Sequence, residues 1–273
     1  MNRRQFIQKT AIGSASLVFG LPAGRSFGAA DPYRGLKMGV ASYSFRKFSL
    51  DQAIAMTKEL GVRCIALKDF HLPMNSTPAE RKEVAKKIKD AGLEFLGVGV
   101  IYMRKQQDVR AAFEYAKDAG VPTIVCSPEP EFLDEVETCA KEYKIRIAIH
   151  NHGPGDKKYP SPLDVLKMVK DRHELMGICM DVGHTVRLGE NPVEVLRQCS
   201  KRLYDFHIKD VTEATAKGKS CIVGKGVIDI PAVLKELVDI KFRYHVALEY
   251  ETDENNPLPG MKASFEYIRK VLA

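Results

Sequence analysis

The chain has 273 residues, of which 42 are Lys or Arg and 35 are Asp or Glu, for a formal charge of +7. Residues 1–30 hold Arg3, Arg4, Lys9 and Arg25 and no acid, so without them the charge falls to +3. A surplus that small lacks the clustered basic face that binding to a phosphate backbone leaves in a sequence, and nucleic acid is not the expected partner.

At the N-terminus, Arg3-Arg4 precedes Gln5-Phe6-Ile7, an uncharged run from Ala11 to Leu21 and the small residues Gly28-Ala29-Ala30. This arrangement resembles a twin-arginine export signal ending at Ala30. It implies that the folded protein passes through the twin-arginine export machinery to the periplasm. A transmembrane anchor fits less well, because the apolar run has 11 residues and contains Gly and Ser, against the ~20 that a span requires. No stable membrane insertion is expected once the signal is removed.

From Asp31 onward, short apolar or β-branched runs alternate with longer amphipathic ones. Strands are expected at 38–43, 64–67, 94–100, 123–126, 146–149, 177–180, 203–208 and 244–248. Helices are expected at 51–60, 78–91, 109–119, 132–143, 162–170, 192–198, 231–238 and 260–271. Eight of each in alternation predict an α/β fold, a single (β/α)8 TIM barrel, for which about 250 residues is typical. Gly61, Gly92 and Gly120 follow helical runs where a left-handed residue ends a helix, and Pro78, Pro162, Pro192 and Pro231 stand in first turns. A doubly wound open sheet would want a glycine-rich phosphate turn after the first strand, which Ala41-Ser-Tyr-Ser-Phe-Arg46 does not supply. No charge block, low-complexity tract or flexible linker divides 31–273, which reads as one domain.

Six cysteines, at 64, 126, 139, 179, 199 and 221, form no C-x-x-C pair. Cys64, Cys126 and Cys179 lie in or beside apolar strand runs, where a free thiol acts as a small hydrophobe. A protein that folds before export, in a reducing compartment, requires no oxidised framework.

In such a barrel the chemistry collects at the C-terminal ends of the strands. The fifth strand runs into His150-Asn151-His152, and the sixth ends at Asp181 with His184 three residues on in the loop. The seventh ends in His207 and Lys209, the eighth in Glu249 and Glu251. A single buried His or Glu is more often a hydrogen-bonded structural residue than a ligand. Four consecutive strands that end in imidazoles or carboxylates, where the early strands end in Tyr43, Lys68 and Tyr102, describe a metal site. Mixed imidazole and carboxylate ligation suits Mn, Co, Zn or Fe(II) better than Mg or Ca, which prefer oxygen shells.

The Asp-x-Gly-His run at 181–184, the His-x-Lys-Asp run at 207–210 and Leu248-Glu249, in that order, resemble the xylose isomerase-like TIM-barrel superfamily. This is the sugar phosphate isomerase/epimerase group, which also contains ketose 3-epimerases, inosose dehydratase and the endonuclease IV fold. The likeness covers essentially all of 31–273. It implies metal ligands at His150, Asp181, His207 and Glu249, with His184 contacting substrate or a second metal. Gly224-Lys-Gly-Val-Ile-Asp229 resembles the segment that precedes the seventh helix in the group. Many of its epimerases carry Glu at the position of His150, where it doubles as ligand and base. The His-Asn-His run is closer to the dehydratase-like branches, and either His150 or His152 could be the ligand.

The chemistry implied is enolisation. A divalent ion on the carbonyl and neighbouring hydroxyl of a keto-sugar would stabilise the enediolate formed when a proton leaves the adjacent carbon, and a base near neutral pKa must lie within hydrogen-bond reach of that proton. Glu249, Glu251 and His152 are candidate bases, His184 is a further catalytic candidate, and Lys209 and Lys68 are candidate acids or partners of the oxyanion. Lys68, His71 and Arg187 are candidate substrate contacts. His173 and His245 read as structural, and Glu129 and Glu131 as a solvated helix approach. Reprotonation gives isomerisation or epimerisation, whereas loss of the β-oxygen substituent gives dehydration or glycoside elimination.

The expected activity is a divalent-metal-dependent isomerase or epimerase acting on a small-molecule carbohydrate, and export favours a free sugar over a phosphorylated one. The alternatives are a lyase or dehydratase on the same fold, of the inosose dehydratase or 3-keto-glycoside kind, and a non-catalytic carbohydrate-binding barrel. An abasic-site endonuclease would need extra histidines after the second and third strands, and the third ends near Tyr102 with none. The fold admits a homodimer, although no exposed apolar stripe compels one.

Overall fold

The computed structural model describes residues 31–273; the expected export signal, on residues 1–30, lies outside the described residues. The strands are β1 (Lys37–Ala41), β2 (Cys64–Leu67), β3 (Glu94–Met103), β4 (Thr123–Pro128), β5 (Arg146–His150), β6 (Met176–Asp181), β7 (Leu203–Ile208), β8 (Asp210–Val211), β9 (Ser220–Cys221) and β10 (His245–Leu248). The helices are α1 (Leu50–Glu59), α2 (Pro78–Asp90), α3 (Gln106–Ala119), α4 (Leu133–Tyr143), α5 (Pro162–Val169), α6 (Val182–Arg187), α7 (Pro192–Cys199), α8 (Ile230–Asp239) and α9 (Leu258–Leu272). Eight strands close into a parallel barrel in the order β1-β10-β7-β6-β5-β4-β3-β2, and β8 pairs with β9 in a small antiparallel ribbon. This is the expected (β/α)8 architecture.

Local signals set the element ends. Ser49 with Gln52 and Thr77 with Glu80 form reciprocal capping boxes at the starts of α1 and α2. Gly61, Gly92 and Gly120 follow helices at φ of +73°, +80° and +67°. In α3, Val109, Ala112, Phe113, Ala116 and Ala119 are buried, the i, i+3, i+4, i+7 stripe that docks a helix on a sheet. Strands β4, β6 and β7 are buried at every position, because helices cover one face and the barrel interior takes the other. Val125, Ala148, Cys179 and Tyr204 fill part of that interior as a cluster of their own.

Three local features differ from the expectation. The first strand stops at Ala41, and Ser42–Phe45 turn as a 3-10 helix. Ser42 and Ser44 hold that turn, the first through Lys68 N and His71, the second through Leu248 O and Tyr250 N. Second, β3 runs three residues further, to Met103, following β4 across a register shift. Third, the loop expected after Asp181 is the short helix α6, so His184 lies on a helix and Arg187 closes it. All six cysteines are free, and five are buried. No helix among the described residues is long and apolar enough to cross a membrane.

Candidate metal centre

The C-terminal ends of β5, β6, β7 and β10 deliver His150, Asp181, His207 and Glu249 to one buried point, with one ligand-competent atom of each within 4.8 Å of all the others. His150 Nε2 lies 3.2 Å from His207 Nδ1 and 3.6 Å from Asp181 Oδ2, and His207 Nδ1 lies 3.2 Å from Glu249 Oε2. Asp181 divides its oxygens. Oδ1 caps α6 by accepting from His184 N at 2.8 Å, which turns Oδ2 toward the cluster. Asn151 fixes the end of β6 by accepting from Asp181 N at 2.8 Å and donating to Asp181 O.

Lys209, the residue after β7, crosses the same site. Its Nζ lies 2.8 Å from Glu249 Oε2, 2.9 Å from Asp181 Oδ2 and 3.1 Å from Glu251 Oε1. The glycine of the Asp-x-Gly-His run makes room for it, since a Cβ on Gly183 would stand 2.5 Å from Lys209 Cγ. The acid of the His-x-Lys-Asp run has another task. Asp210 accepts from the backbone N–H groups of Val211, Gly224, Gly226 and Ile228 at 2.9–3.1 Å, and so folds the 224–229 segment against the strand end.

Charge and burial agree with this geometry. Burial opposes ionisation of Asp181 and Glu249, yet the cations around them hold both carboxyls well below their usual range: His184 and Lys209 for Asp181, Lys209 and His207 for Glu249. Burial holds the His150 imidazole neutral, down to about 3, the form in which imidazole ligates a metal. Cys179 stands close enough to His150 and His207 to form an alternative trio. Burial pushes its thiol well above the usual range, however, and a protonated thiol is a poor ligand. The set of two imidazoles and two carboxylates is the one that fits a divalent ion, which would displace the proton that, against burial, Glu249 holds on His207 up to about 9. Its Asp181 Oδ2 lies beside Lys209 but accepts no aligned hydrogen bond, as an atom reserved for a ligand would.

The remaining sequence-predicted residues fall into two groups. His184 Nε2 is 3.9 Å from Asp181 Oδ2, and Arg187 reaches His184 Nδ1 at 3.4 Å and Ala216 O at 2.9 Å. His152 is not among the four donors. Its Nε2 is 3.2 Å from the Tyr102 hydroxyl and its Nδ1 3.4 Å from Asp156 Oδ2, with its ring centre 4.7 Å from that of His150. Lys68 donates to Val100 O at 2.6 Å and lies over the Tyr102 ring. His71 is not brought to the cluster: it is buried, with Nδ1 2.9 Å from Ser42 Oγ and Nε2 3.1 Å from Phe48 O, and ties the loops after β1 and β2 together.

Sequence reasoning passed over Asn151, Asp205 and the contact side of Tyr102. Asp205 Oδ1 lies 3.8 Å behind His207 Nε2, and Asp205 Oδ2 lies 3.8 Å from His245 Nδ1. Strand alternation was the available signal, since residues 205 and 207 share the interior face of β7.

Residues 54–271 match the xylose isomerase-like TIM barrel family. An inosose dehydratase of Clostridium botulinum (strain Eklund 17B / Type B) is 28% identical over 155 residues, which cover 50% of this chain and 52% of that protein. The chain thus spans about half the length of the inosose dehydratases it matches. Among solved structures, an uncharacterized protein of Parabacteroides distasonis ATCC 8503 is 25% identical at a TM-score of 0.68, covering 86% of this chain and 99% of that one. The 3-keto-D-glucoside 4-epimerase of E. coli is 16% identical at a TM-score of 0.71, covering 86% and 99%, a likeness of fold. With a match across most of its length and a barrel that closes as described, the chain belongs to the xylose isomerase-like TIM barrel family.

Proposed function

We propose that this protein is a divalent-metal-dependent enzyme that enolises a keto-sugar and returns it as an isomer or epimer. The observation that carries the reading is the four-donor cluster with Lys209 and Glu251 beside it, a buried set of acids and bases open to the barrel mouth through Glu251. Mn, Co or Zn held by His150, Asp181, His207 and Glu249 would supply Lewis-acid polarisation of a carbonyl.

The chain's own residues do the rest. Glu251, a third exposed at its side chain, is the base placed to reach a substrate C–H, with Glu249 the more deeply buried alternative. His152, oriented by Asp156 and Tyr102, is a second proton carrier from a different strand. Two carriers suit a proton that is taken by one group and returned by another. The Lys209 ammonium would face the oxyanion that develops when the proton leaves, and His184 with Arg187 would hold a hydroxyl. Export read from Arg3-Arg4 would set this reaction in the periplasm.

A second reading is elimination from the same enediolate, as in a dehydratase or lyase. His150 favours it, standing where a ligand-and-base Glu would serve epimerisation, and the similarity to inosose dehydratases supports it. The test is to incubate the Mn-loaded protein with a panel of ketoses and 3-keto-glycosides in D₂O and to follow the carbons next to the carbonyl by NMR. Deuterium uptake, lost in His207→Ala and Glu249→Ala, is expected, and the product separates isomer from eliminated enone. Bound metal with no uptake on any sugar would refute the proposal in favour of a non-catalytic carbohydrate-binding barrel.

A further inference from the structure

A cavity at the same mouth meets the chemistry above only through Tyr102. It measures about 510 Å³ and lies between the segments that follow β2 and β3, lined by Asp69, Asn75, Tyr102 and Arg104 among others. That volume is within the ~300–1,000 Å³ of ligand clefts. Among the described residues, Phe70, Tyr102 and Val227 are the large apolar side chains left exposed. All three stand on strand ends or loops at the C-terminal mouth of the barrel. Of the three, Tyr102 lines the cavity and offers its ring to what enters.

Tyr102 joins the cavity to the donor cluster, because its hydroxyl meets His152, which in turn packs edge-on against His150. The Arg104 guanidinium lies 5.3 Å from the centre of the Tyr102 ring. Asp69, Asn75 and Arg104 line the cavity together, with the Arg104 backbone N–H donating to Asp108 Oδ2 at 3.0 Å. A carboxylate, an amide and a guanidinium beside an exposed aromatic ring are the groups that bind adjacent hydroxyls while the apolar face of a sugar ring packs on the aromatic. Asp108, the second acid of the lining, is taken up by the backbone N–H groups of Arg104 and Lys105, and Lys68 by Val100 O, so two carboxylates and one guanidinium face the cavity, a charge that suits a neutral unit rather than a phosphate.

We propose that this cavity is a subsite for the second unit of a neutral two-unit glycoside whose keto-sugar ring reaches the donor cluster past His152. The inference rests on the function proposed above and narrows its substrate from keto-sugars to glycosides.

Binding without turnover tests it. The full chain is titrated by NMR with glucose and with gluco-disaccharides of several linkages. At least one disaccharide is expected to bind about tenfold tighter than glucose. Tyr102→Ala and Arg104→Ala should each remove that advantage, Arg104→Ala should leave glucose binding unchanged, and Tyr102→Phe, which keeps the aromatic face, should retain the preference. A panel in which no disaccharide exceeds glucose, or an advantage that survives both alanine substitutions, would overturn the subsite. A disaccharide preference without deuterium uptake on the 3-keto sugars would uphold the subsite and refute enolisation. Uptake without the preference would do the reverse.

Discussion

Replacing Lys209 with Met keeps an unbranched side chain one atom shorter and removes the one ammonium that faces Asp181, Glu249 and Glu251 at 2.9, 2.8 and 3.1 Å. At an effective dielectric constant of about 20, each contact at such a distance has a gross Coulomb energy of roughly 5–6 kcal/mol. The net loss is smaller. Desolvating the lysine already cost part of the gain, and the carboxylates left behind can take up protons. Glu251, a third exposed, contributes least because water screens it. Removing one partner of a buried ion pair costs about 3–5 kcal/mol, or roughly 6–20 °C in Tm for a domain of this size.

The assay is thermal and guanidinium unfolding of wild type and Lys209→Met, in EDTA and in saturating Mn²⁺. In EDTA the variant should be the less stable by the amount above. Mn²⁺ should stabilise the variant more than the wild type, because a divalent ion on Asp181 and Glu249 answers the charge that the lysine no longer balances. A variant within about 1 kcal/mol of wild type in EDTA, or one that gains no more from Mn²⁺ than wild type does, would refute this account of the site's charge.

Three further outcomes are expected. His150→Asn should weaken Mn²⁺ or Zn²⁺ binding by calorimetry by on the order of 100-fold, since loss of even a supporting partner costs roughly 10–100-fold. His152→Asn should change it by less than about threefold, and the opposite order would reverse the assignment of the donor. Asp210→Ala leaves four backbone N–H groups without their acceptor and should cost at least about 3 kcal/mol, with faster hydrogen exchange across 224–228; unchanged exchange would show that the loop does not depend on it. Burial lowers His245 to about 3 in the fold, below its ordinary value near 6.5, so between these values the unfolded chain binds the extra proton. Stability should therefore fall as pH drops from 6.5 toward 3, with this residue contributing on the order of 2–4 kcal/mol, and His245→Leu should flatten that part of the wild-type profile. Parallel profiles would contradict the burial argument.

Alternating periods of hydrophobicity, with Gly61, Gly92 and Gly120 behind helices and Pro78, Pro162 and Pro192 in their first turns, were enough to read eight strands and eight helices from the chain alone. Closure of the barrel then follows, and closure places every strand end on one rim. Hence strand-end chemistry and the family resemblance made a cluster of Asp181, His207, Glu249 and one of the two histidines after the fifth strand legible without a structure, and left the choice between His150 and His152 open. Where the reading fell short, the deciding contact joined residues far apart in the chain. A helix at 182–187 depends on one Asp181 oxygen turning back to cap it. His71 is taken by Ser42 and Phe48, 29 and 23 residues away.

The sequence by itself determined the fold class, the run of the barrel and the set of residues from which the candidate metal site is drawn, because periodicity and strand-end chemistry are local properties. The tertiary structure alone decided which histidine after β5 joins the cluster, how Lys209 is shared among three carboxylates, and that Tyr102 connects a second cavity to the donors. Those are matters of a few ångströms between side chains on different strands, set by register, burial and the rotation of single bonds, and no pattern along one strand encodes them.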